Sequence, residues 1–582
     1  MSWKVDGFSP LKRAPQVHRF ISLDTEDDQL GFGAGHGFYL GSVWGPLGGR
    51  CFTSRMALIR YLNNPKWSGY WCACHNLEYD VLSVFGAAGV IFMDPVFSGS
   101  KLCSVSLRYS DRRSDRLTFF DTSCFLQDSL RNLAPLVSLE KLNMEMKAGD
   151  RRVTAHRRKY CLMDSEITWN LAHYIQDGVN ALGAQMRLTA ASTALDCFRR
   201  KYLHEKLPLV DAHTQTELHG GYYGGRVECF KLGEYPGPVY QNDINGAYVS
   251  VMIDSEFPEL GNFKERLGRQ MDLSKQGMVE CDLSVPAHLW AAPLPVKGQK
   301  LIFPTGRLRG CWTCNDLRLA LNYGVKIDRV SRCWDSPRSL PYLREMMLAL
   351  RAVRENPATP PAVSRFAKLL GNSTYGKFAQ RGEEFRYMGR SDYDRAIARG
   401  SLRPGVNYDP EGTRIYPHVQ IVRVSTGRVS FPAHSNVIWS AVVTAGCRGL
   451  LYPHLEESST YYCDTDSVMG QREYPATKSL GRLAIQHSYD RVIIRGNKLY
   501  AGLESDKWNA HAKGIPRQFA EQAVLHPEIP INCRRPARIR TALAGRYAAN
   551  EWFDLVKHNR SSYDKRTVLA DGSTKPLEVV QW

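Results

Sequence analysis

The chain has 582 residues, 43% of them hydrophobic and 23% charged, and this globular composition excludes a disordered or low-complexity protein. Lysine and arginine total 76 against 58 acids, so the net charge is +18, which points to an anionic partner, most often nucleic acid. At about 150 residues per domain, this length predicts three to five domains.

Residues 1–185 alternate strand-like runs with helical segments, which predicts a mixed α/β domain. The strand-like runs are RFISLD at 19–24, KLCSVSLRYS at 101–110 and RLTFFDTS at 116–123, and the segment MALIRYLNN at 56–64 is helical.

Acids recur in this first part of the chain. Asp24 and Glu26 are two residues apart, so they share one face of a predicted strand. Asp80 lies on a predicted helix, and Tyr160 and Asp164, four residues apart, lie on one side of another.

A second group of acids follows later. After the glycine-rich stretch HGGYYGGRVECF at 219–230, the strand at 237–248 ends near Asp243. Asp464 and Asp466 are also two residues apart, separated only by Thr465, and they follow the apolar run YYC, where a hairpin would need only one acid.

Each acid taken singly is most simply a solvated, capping or turn residue. Together, the two groups have the number and chemistry to hold a pair of divalent hard cations each, because clustered carboxylates repel strongly without them. Magnesium suits such sites, and two neighbouring metals serve phosphoryl transfer. The residues thus predict two separate metal-dependent reactions on a phosphate backbone.

The turn PATPPA at 357–362 separates two predicted antiparallel helices, 343–356 and 363–378. GNSTYGKF at 371–378 has the phosphate-loop spacing G-x-x-x-x-G-K, but Phe378 stands where such a loop needs Ser or Thr, and the segment is helical. We therefore reject an NTPase. Lys368, Asn372 and Tyr375 share one helix face that suits a nucleoside triphosphate, and an ordinary amphipathic helix is the alternative.

Fifteen irregularly spaced cysteines predict reduced thiols rather than a disulfide framework. The N-terminus lacks an apolar signal core, and the longest apolar stretch, 437–447, is too short to cross a bilayer. We expect a cytoplasmic protein that does not enter membranes.

In this order, the motifs resemble the protein-primed branch of the family B DNA polymerases. DINGAY at 243–248 and YCDTDSV at 462–468 are similar to the palm motifs of this family, KLLGNSTYG at 368–376 to its fingers helix, and Lys498-Leu-Tyr500 to its Lys-x-Tyr. The first palm motif departs from the usual Ser-Leu-Tyr-Pro, since Gly246, Ala247 and Val249 flank the retained Tyr248.

The 3′-5′ exonuclease motifs of the family have counterparts as well. They are Asp24-Thr-Glu26, Asn76-Leu-Glu-Tyr-Asp80 and Tyr160 with Asp164. SLRNL at 129–133 resembles a single-strand-binding motif, and YYGG at 222–225 the linker signature between the editing and polymerising modules. Asp27 stands where a threonine often follows the first exonuclease Glu.

The resemblance implies an α/β and α+β multidomain fold, with an RNase H-like 3′-5′ exonuclease domain and a right-hand polymerase that carries two protein-primed-type insertions. The expected domains are the exonuclease at 1–185, palm at 186–255 and 432–515, a terminal-protein insertion at 256–342, fingers at 343–380, a processivity and strand-displacement insertion at 381–431, and a small basic thumb at 516–582.

The resemblance also implies roles for individual residues. Metal ligation is implied for Asp243, Asp464, Asp24, Glu26, Asp80 and Asp164, with catalytic roles for these and for Asp466 and Tyr160. Nucleotide binding is implied for Tyr248, Lys368, Asn372, Tyr375, Lys498 and Arg351. DNA binding is implied for Tyr222, Gly224, Gly225, Asn76, Tyr79, Ser129, Leu130, Tyr500 and Lys513. Between the two hairpin acids, Asp464 is expected to be the firmer metal ligand.

The expected protein is a DNA-directed DNA polymerase with proofreading that replicates a phage or linear mobile element in the cytoplasm of a bacterial host. Its expected cofactor is Mg²⁺, two ions per active site, with Mn²⁺ as a substitute. Its expected partners are primer-template DNA, dNTPs and a terminal protein, and it would be a monomer or a heterodimer with that protein. The alternatives are a stand-alone exonuclease, a family B polymerase that primes without a terminal protein, and a non-catalytic basic DNA-binding protein.

Overall fold

The protein is described from a computed structural model, over residues 7–28, 37–112, 114–144, 149–417, 420–543, 551–558 and 563–580. Its principal helices are Arg55–Leu62, Leu77–Ile91, Ala155–Ala181, Ala190–Cys197, Ala212–Leu218, Ala247–Asp254, Cys314–Leu321, Arg344–Glu355, Pro361–Phe378, Arg390–Ala398 and Val437–Leu451. Shorter ones are Leu130–Leu133, Ala520–Leu525 and Ile539–Leu543. The predicted helix pair around the turn at 357–362 is confirmed.

A seven-stranded mixed sheet, the N-terminal sheet, organises the first part of the chain. Its spatial order is Gly48–Phe52, Phe38–Gly45, Arg19–Asp27, Tyr70–Cys74, Arg116–Asp121, Lys101–Arg108 and Val96–Ser98. Arg19–Asp27 pairs in parallel with Tyr70–Cys74, which pairs in parallel with Arg116–Asp121. The helix Ala155–Ala181 packs on this sheet, where Ser22 Oγ donates to the Ser165 carbonyl at 2.7 Å. The predicted α/β organisation of this region is confirmed.

A second seven-stranded sheet, the central sheet, is antiparallel throughout. Its order is Lys507–Ala512, Leu499–Glu504, Leu483–Gly496, Gly233–Ile244, Ser467–Gly470, Thr460–Asp464 and Val227–Cys229. Thr460–Asp464 and Ser467–Gly470 form a hairpin, called here the DTD hairpin, whose two-residue turn is Thr465-Asp466. The acids at 464 and 466 therefore lie at a hairpin tip, as their spacing indicates.

The largest hydrophobic core connects the helices that cover these two sheets. It includes Ile175 of the helix Ala155–Ala181, Phe366 and Leu370 of Pro361–Phe378, and Trp439 of Val437–Leu451, none of them more than 1% exposed. Because apolar area of this extent is removed from water, the helix that carries Lys368 is held firmly against the molecule.

Two smaller sheets have cores of their own. One has the order Lys264–Leu267, Lys326–Asp335, Gly277–Val285, Thr305–Thr313 and Glu578–Val580. The other has the order Gly382–Gly389, Ile421–Ser430 and Asp409–Tyr416. Two-stranded pairs complete the described strands: Phe257–Pro258 with Ser339–Leu340, Val296–Lys297 with Leu301–Ile302, Ile531–Pro536 with Trp552–Lys557, and Arg566–Val568 with Thr574–Pro576.

The C-terminal residues 563–580, called here the C-terminal strap, contact the central sheet and the five-stranded sheet. Glu578–Val580 adds a parallel strand to the five-stranded sheet beside Thr305–Arg307. Arg566 is 1% exposed, reaches Glu228 of the central sheet and donates to the carbonyls of Trp290 and Thr574. The strap thus links the back of the central sheet to the five-stranded sheet, which the sequence did not indicate.

Two general expectations from composition can be compared with the structure. All fifteen cysteines are free, as predicted. No helix in the described part of the chain combines the length and apolarity needed to cross a bilayer.

Candidate active sites

The first site, called here the N-terminal acid site, forms between the N-terminal sheet and the helices on it. Asp24 and Glu26 lie two residues apart on the strand Arg19–Asp27, Asp80 lies on the helix Leu77–Ile91, and Asp164 on the helix Ala155–Ala181. Thr25, between the first two acids, donates its hydroxyl to Asp80 Oδ1 at 2.9 Å. The structure therefore brings together all four acids that sequence motifs separate by as much as 140 residues.

The pKa values of all four carboxyl groups in this site are raised, as expected for buried like charges that lie close together. Burial, and then the charges of Asp164, Glu26 and Asp80, raise the pKa of Asp24 well above its ordinary value. Burial and the charge of Asp164 raise the pKa of Glu26 to about 8. Burial likewise raises the pKa of Asp80 and of Asp164, although Lys141 opposes the shift at Asp164.

Lys141 is a site residue that the sequence motifs did not single out. Its Nζ lies 2.5 Å from Asp164 Oδ2 and 4.9 Å from the centroid of the Tyr160 ring. Burial and the charge of Asp164 raise the pKa of Tyr160 to about 12, so its hydroxyl keeps its proton and can donate a hydrogen bond. No periodic pattern marks Lys141, because it lies in a loop.

The donor set fits hard divalent cations. Asp24 Oδ2 and Asp164 Oδ1 are buried atoms that have no hydrogen-bond partner in the described part of the chain, and an unsatisfied buried carboxylate oxygen is costly unless a cation neutralises it. Carboxylate oxygens are the ligands that Mg²⁺ prefers, and the four acids supply enough of them for a pair of ions.

The predicted DNA-binding residues of this region differ in exposure. Asn76 is exposed, has a φ of 77° and begins the helix that carries Asp80, and Tyr79 is half-buried on the same helix. Ser129 is exposed and caps the short helix that follows it, whereas Leu130 is 8% exposed and packs into the largest core. The expected contact of Leu130 with DNA stays a prediction, and only a small part of its apolar side chain is exposed for it.

The second site, called here the central acid site, forms where three strands of the central sheet meet. Asp243 lies opposite Ser467 in the register of the sheet, and Ser467 lies opposite Asp464 on its other side. Residues in register across neighbouring strands point to the same face, so both acids face the same side of the sheet. The Ile244 N–H donates to the Asp466 carbonyl at 2.7 Å, which brings the hairpin turn next to Asp243.

The two hairpin acids have different surroundings. Asp464 Oδ2 accepts from the Tyr462 hydroxyl at 3.1 Å and lies 3.0 Å from Lys498 Nζ, and Asp464 Oδ1 accepts from the Thr465 hydroxyl at 3.1 Å. Asp466 has no side-chain hydrogen bond or ion pair within the described ranges, and burial together with Asp243 and Asp464 raises its pKa to about 6. Burial also raises the pKa of Asp243, with Lys368 opposing.

Two predicted nucleotide-binding tyrosines meet above this site. The rings of Tyr248 and Tyr375 stack with centroids 4.4 Å apart and planes 5° from parallel. Lys368 and Asn372 are exposed on the helix that carries Tyr375. Arg351, in contrast, lies on the preceding helix and pairs with Glu355 at 2.7 Å.

The linker glycines approach the DTD hairpin closely. A Cβ built on Gly225 would lie 2.7 Å from Thr465 Cγ2, and the Thr465 N–H donates to the Arg226 carbonyl at 2.6 Å. Gly224 is exposed and Tyr222 half-buried, with the pKa of Tyr222 raised to about 12 by burial. A side chain at position 225 would therefore force Thr465 of the hairpin turn to shift.

The last two predicted DNA contacts lie beyond Lys498. Lys513 is exposed, and its N–H donates to the Lys498 carbonyl at 2.9 Å. Tyr500 is 7% exposed, and its ring stacks on His511 and packs against the ring of Tyr462. The expected DNA contact at Tyr500 stays a prediction, with only a small part of the side chain exposed for it.

Comparisons with known proteins agree with the sequence motifs, because the matches are DNA polymerases. Residues 135–402 match a family described as DNA polymerase type B, organellar and viral. The chain is 24% identical over 328 residues to the DNA-directed DNA polymerase of Enterobacteria phage PRD1, which covers 54% of this chain and 55% of that relative. It superposes on Phi29 DNA polymerase complexed with primer-template DNA and incoming nucleotide with a TM-score of 0.69 at 14% identity, covering 94% and 100% of the two chains.

The predicted resemblance to the protein-primed family B DNA polymerases is confirmed. A further relative, the primer-independent DNA polymerase PolB of Escherichia coli, is 31% identical over 176 residues, which cover 27% of this chain and 20% of that protein. The chain thus spans about half, or less, of the length of the curated relatives it matches. Its fold is the α/β and α+β multidomain fold of these family B polymerases, as predicted.

We expect the substitution Glu26→Gln to stabilise the metal-free protein at pH 8 but not at pH 4. The pKa of Glu26 is about 8 when folded and 4.5 as the ordinary value, so between these pH values the folded protein binds more protons than the unfolded chain. Stability therefore falls as the pH rises through this window, and the amide removes that loss. The measurement is the thermal unfolding midpoint in chelator across this pH range.

The exposed Glu457 offers a matched control, since Glu457→Gln should leave the pH profile of the wild type. Added Mg²⁺ should raise the midpoint of the wild type at pH 8 more than that of Glu26→Gln. An identical pH profile for wild type and Glu26→Gln would contradict the clustered acids as the cause.

Proposed function

We propose that the protein is a DNA-directed DNA polymerase with a 3′-5′ proofreading exonuclease. The observation that supports it most is the convergence of Asp243, Asp464 and Asp466 on one end of the central sheet, beside Lys368 and the Tyr248–Tyr375 pair. A second cluster of four acids supports a separate hydrolytic reaction. A non-catalytic DNA-binding protein would have no use for either cluster, because carboxylates repel phosphate.

In the polymerase reaction, the primer 3′ hydroxyl attacks the α-phosphate of a nucleotide and pyrophosphate leaves. Mg²⁺ held by Asp243 and Asp466 would supply the charge that activates the hydroxyl and neutralises the phosphates. Lys368 is placed to bind the phosphates from the exposed helix face, and the tyrosine pair borders the space for the sugar.

The contacts of the hairpin favour Asp466 over Asp464 as the firmer metal ligand, the reverse of the ranking expected from sequence. Asp464 already accepts hydrogen bonds on both oxygens and pairs with Lys498. Asp466 makes no side-chain ion pair within the described ranges, and burial together with the charges of Asp243 and Asp464 raises its pKa to about 6. In this assignment Asp464 orients Lys498 and stiffens the hairpin.

In the exonuclease reaction, a water molecule attacks the terminal phosphodiester of a single strand. Asp24, Glu26, Asp80 and Asp164 are the residues that would hold the metal pair, and Tyr160 would orient the water through its protonated hydroxyl. Lys141 holds Asp164 in position and favours its ionised form, and it adds a positive charge next to the attacked phosphate.

We further propose protein-primed replication with strand displacement, in which a hydroxyl of a terminal protein replaces the primer sugar. The confirmed resemblance to the protein-primed branch and the two additional sheets at 264–335 and 382–430 support this proposal. The Escherichia coli relative, whose name describes a primer-independent polymerase, favours a second candidate, priming without any terminal protein.

The two activities should separate by substitution. We expect Asp466→Asn to lower primer extension by about 100-fold or more, because one ligand for the nucleotide-bound metal is lost, and to leave degradation of a labelled single strand intact. Asp80→Asn should do the opposite. Extension and degradation are measured with Mg²⁺ on one batch of each variant. Full extension by Asp466→Asn would refute the polymerase site.

The close approach of the linker to the hairpin makes Gly225→Ala informative. The added methyl would meet Thr465 at 2.7 Å and displace the hairpin tip, so we expect extension to fall between about 10-fold and 100-fold while single-strand degradation persists. Gly220→Ala is the matched control, because its Cβ would meet no atom within 4 Å. Equal extension by the two variants would show that the linker does not position the hairpin.

The mode of priming requires its own assay. Enzyme, labelled dNTP and single-stranded template are combined with a candidate terminal protein, with an oligonucleotide primer, or with neither. We expect a protein-linked nucleotide in the first mixture. Label in long DNA from the third mixture alone would instead support the primer-independent candidate.

A further inference from the structure

Cys161 is a buried thiol of the N-terminal acid site that the proposed reactions do not use. It lies on the helix Ala155–Ala181, one turn before Asp164, and is 0% exposed. Its Sγ and one carboxylate oxygen each of Asp24 and Glu26 all lie within 4.8 Å of one another. A thiol is therefore part of the same cluster as two of the acids.

The thiol is held by weak interactions that leave it available as a ligand. Its S–H lies 3.2 Å from Ser42 Oγ and 3.8 Å from the Asp24 carbonyl, both on strands of the N-terminal sheet. The second contact holds Sγ against the strand Arg19–Asp27, which carries Asp24 and Glu26. Metal binding would exchange these weak contacts for a metal–sulfur bond, and the cation would have to displace the thiol proton, since burial raises the pKa of Cys161.

The ion pair of Asp164 distinguishes this acid from the trio of Asp24, Glu26 and Cys161. Lys141 binds Asp164 Oδ2, so that part of the site already has a cation. Among the described residues, Asp24 Oδ2 has no hydrogen-bond partner, and neither has Oδ1 of Asp164, which is 3% exposed. The trio therefore has a carboxylate oxygen that is available to a cation.

The ligand chemistry of this trio is that of a thiophilic cation. Mg²⁺ takes oxygen ligands, whereas Zn²⁺ and Cd²⁺ bind thiolate together with carboxylate. Zn–S and Zn–O bonds in a tetrahedral arrangement place sulfur and oxygen about 3.6 Å apart, so small side-chain rotations from the observed separation would close the site.

We propose that Asp24, Glu26 and Cys161 form a binding site for a thiophilic divalent cation such as Zn²⁺, which blocks the exonuclease selectively. The thiol proton passes to solvent as the metal–sulfur bond forms, with no change of oxidation state. Binding itself follows from the trio alone, whereas its inhibitory effect rests on the proposed exonuclease function. The cation would occupy Asp24 and Glu26 and so exclude the hard cations that editing needs.

Within the described residues, no cysteine groups with the acids of the central acid site as Cys161 does with Asp24 and Glu26, although burial and then the nearby charge of Asp466 raise the pKa of Cys447. Cys463 precedes Asp464, but successive residues of a strand point to opposite faces, and Cys463 is 0% exposed in the core, near Arg226 and Glu228. The three acids of that site therefore present only oxygen ligands, and DNA synthesis should tolerate zinc concentrations that stop degradation.

Cadmium absorbance tests the site independently of activity. Metal-free wild type, Cys161→Ser, Cys161→Ala and Cys51→Ser are titrated with Cd²⁺, and the thiolate-to-cadmium charge-transfer band is recorded. We expect the absorbance of this band in wild type and Cys51→Ser to exceed that in both Cys161 variants by the contribution of one cadmium-bound thiolate. Cys51 is the matched control because it contacts the same helix, at the Arg158 carbonyl, yet is not part of the trio. Equal bands in all four proteins would refute the site.

Zinc inhibition tests the consequence. With Mg²⁺ present, Zn²⁺ is titrated into single-strand degradation and primer extension, and each variant is compared with its own rate without zinc. We expect the half-inhibitory zinc concentration for degradation to rise at least about tenfold in Cys161→Ser and to stay unchanged in Cys51→Ser. Equal sensitivity of the variants would refute the proposed inhibition.

Failure of the proposed exonuclease function can be distinguished from failure of the proposed metal site. If the wild type shows no degradation with Mg²⁺ alone, the exonuclease proposal is refuted, and the cadmium band still decides whether the trio binds metal. Unfolding midpoints in chelator identify any variant that is not folded, and the serine and alanine variants provide two independent tests of the same thiol.

Discussion

The structure depends on keeping like-charged carboxylates close together and partly out of water. In the N-terminal acid site, burial and mutual repulsion raise the pKa of Asp24, Glu26 and Asp80, and in the central acid site they raise those of Asp243 and Asp466. Such arrangements cost stability unless cations bind, so they persist only where the surrounding fold holds them in place. Both sites accordingly lie on a sheet with its packed helices or with the tight turn of a hairpin.

Each site is supported from behind by a different device. The helix Ala155–Ala181 packs on the N-terminal sheet and brings Asp164, Tyr160 and Cys161 to the strand that carries Asp24. The DTD hairpin is held by the linker at Gly225 and Arg226 and, more remotely, by the C-terminal strap, whose Arg566 reaches the buried Glu228. Because the Arg226 side chain donates to Glu228 and its carbonyl accepts from the Thr465 N–H, the strap and the hairpin tip are linked through Glu228 and Arg226.

Much of this could be predicted from local patterns. The spacing of Asp24 and Glu26 placed them on one strand face, and the spacing of Lys368, Asn372 and Tyr375 placed them on one helix face, since side-chain direction repeats with the element. Lys141 and Cys161 were missed because a loop lysine and a core cysteine carry no such pattern. Leu130 and Tyr500 are predicted to contact DNA, and tertiary packing leaves only a small part of each side chain exposed.

The sequence by itself determined the chemistry of the two acid groups, the helix pair, the hairpin turn and the resemblance to family B polymerases, because these depend on residue type and short spacing. Only the tertiary structure decided which acids meet, that Lys498 engages Asp464 and leaves Asp466 available, that a thiol joins Asp24 and Glu26, and where the C-terminal strap runs. These facts depend on contacts between residues up to more than 300 positions apart, such as Glu228 and Arg566, and no local pattern records such contacts.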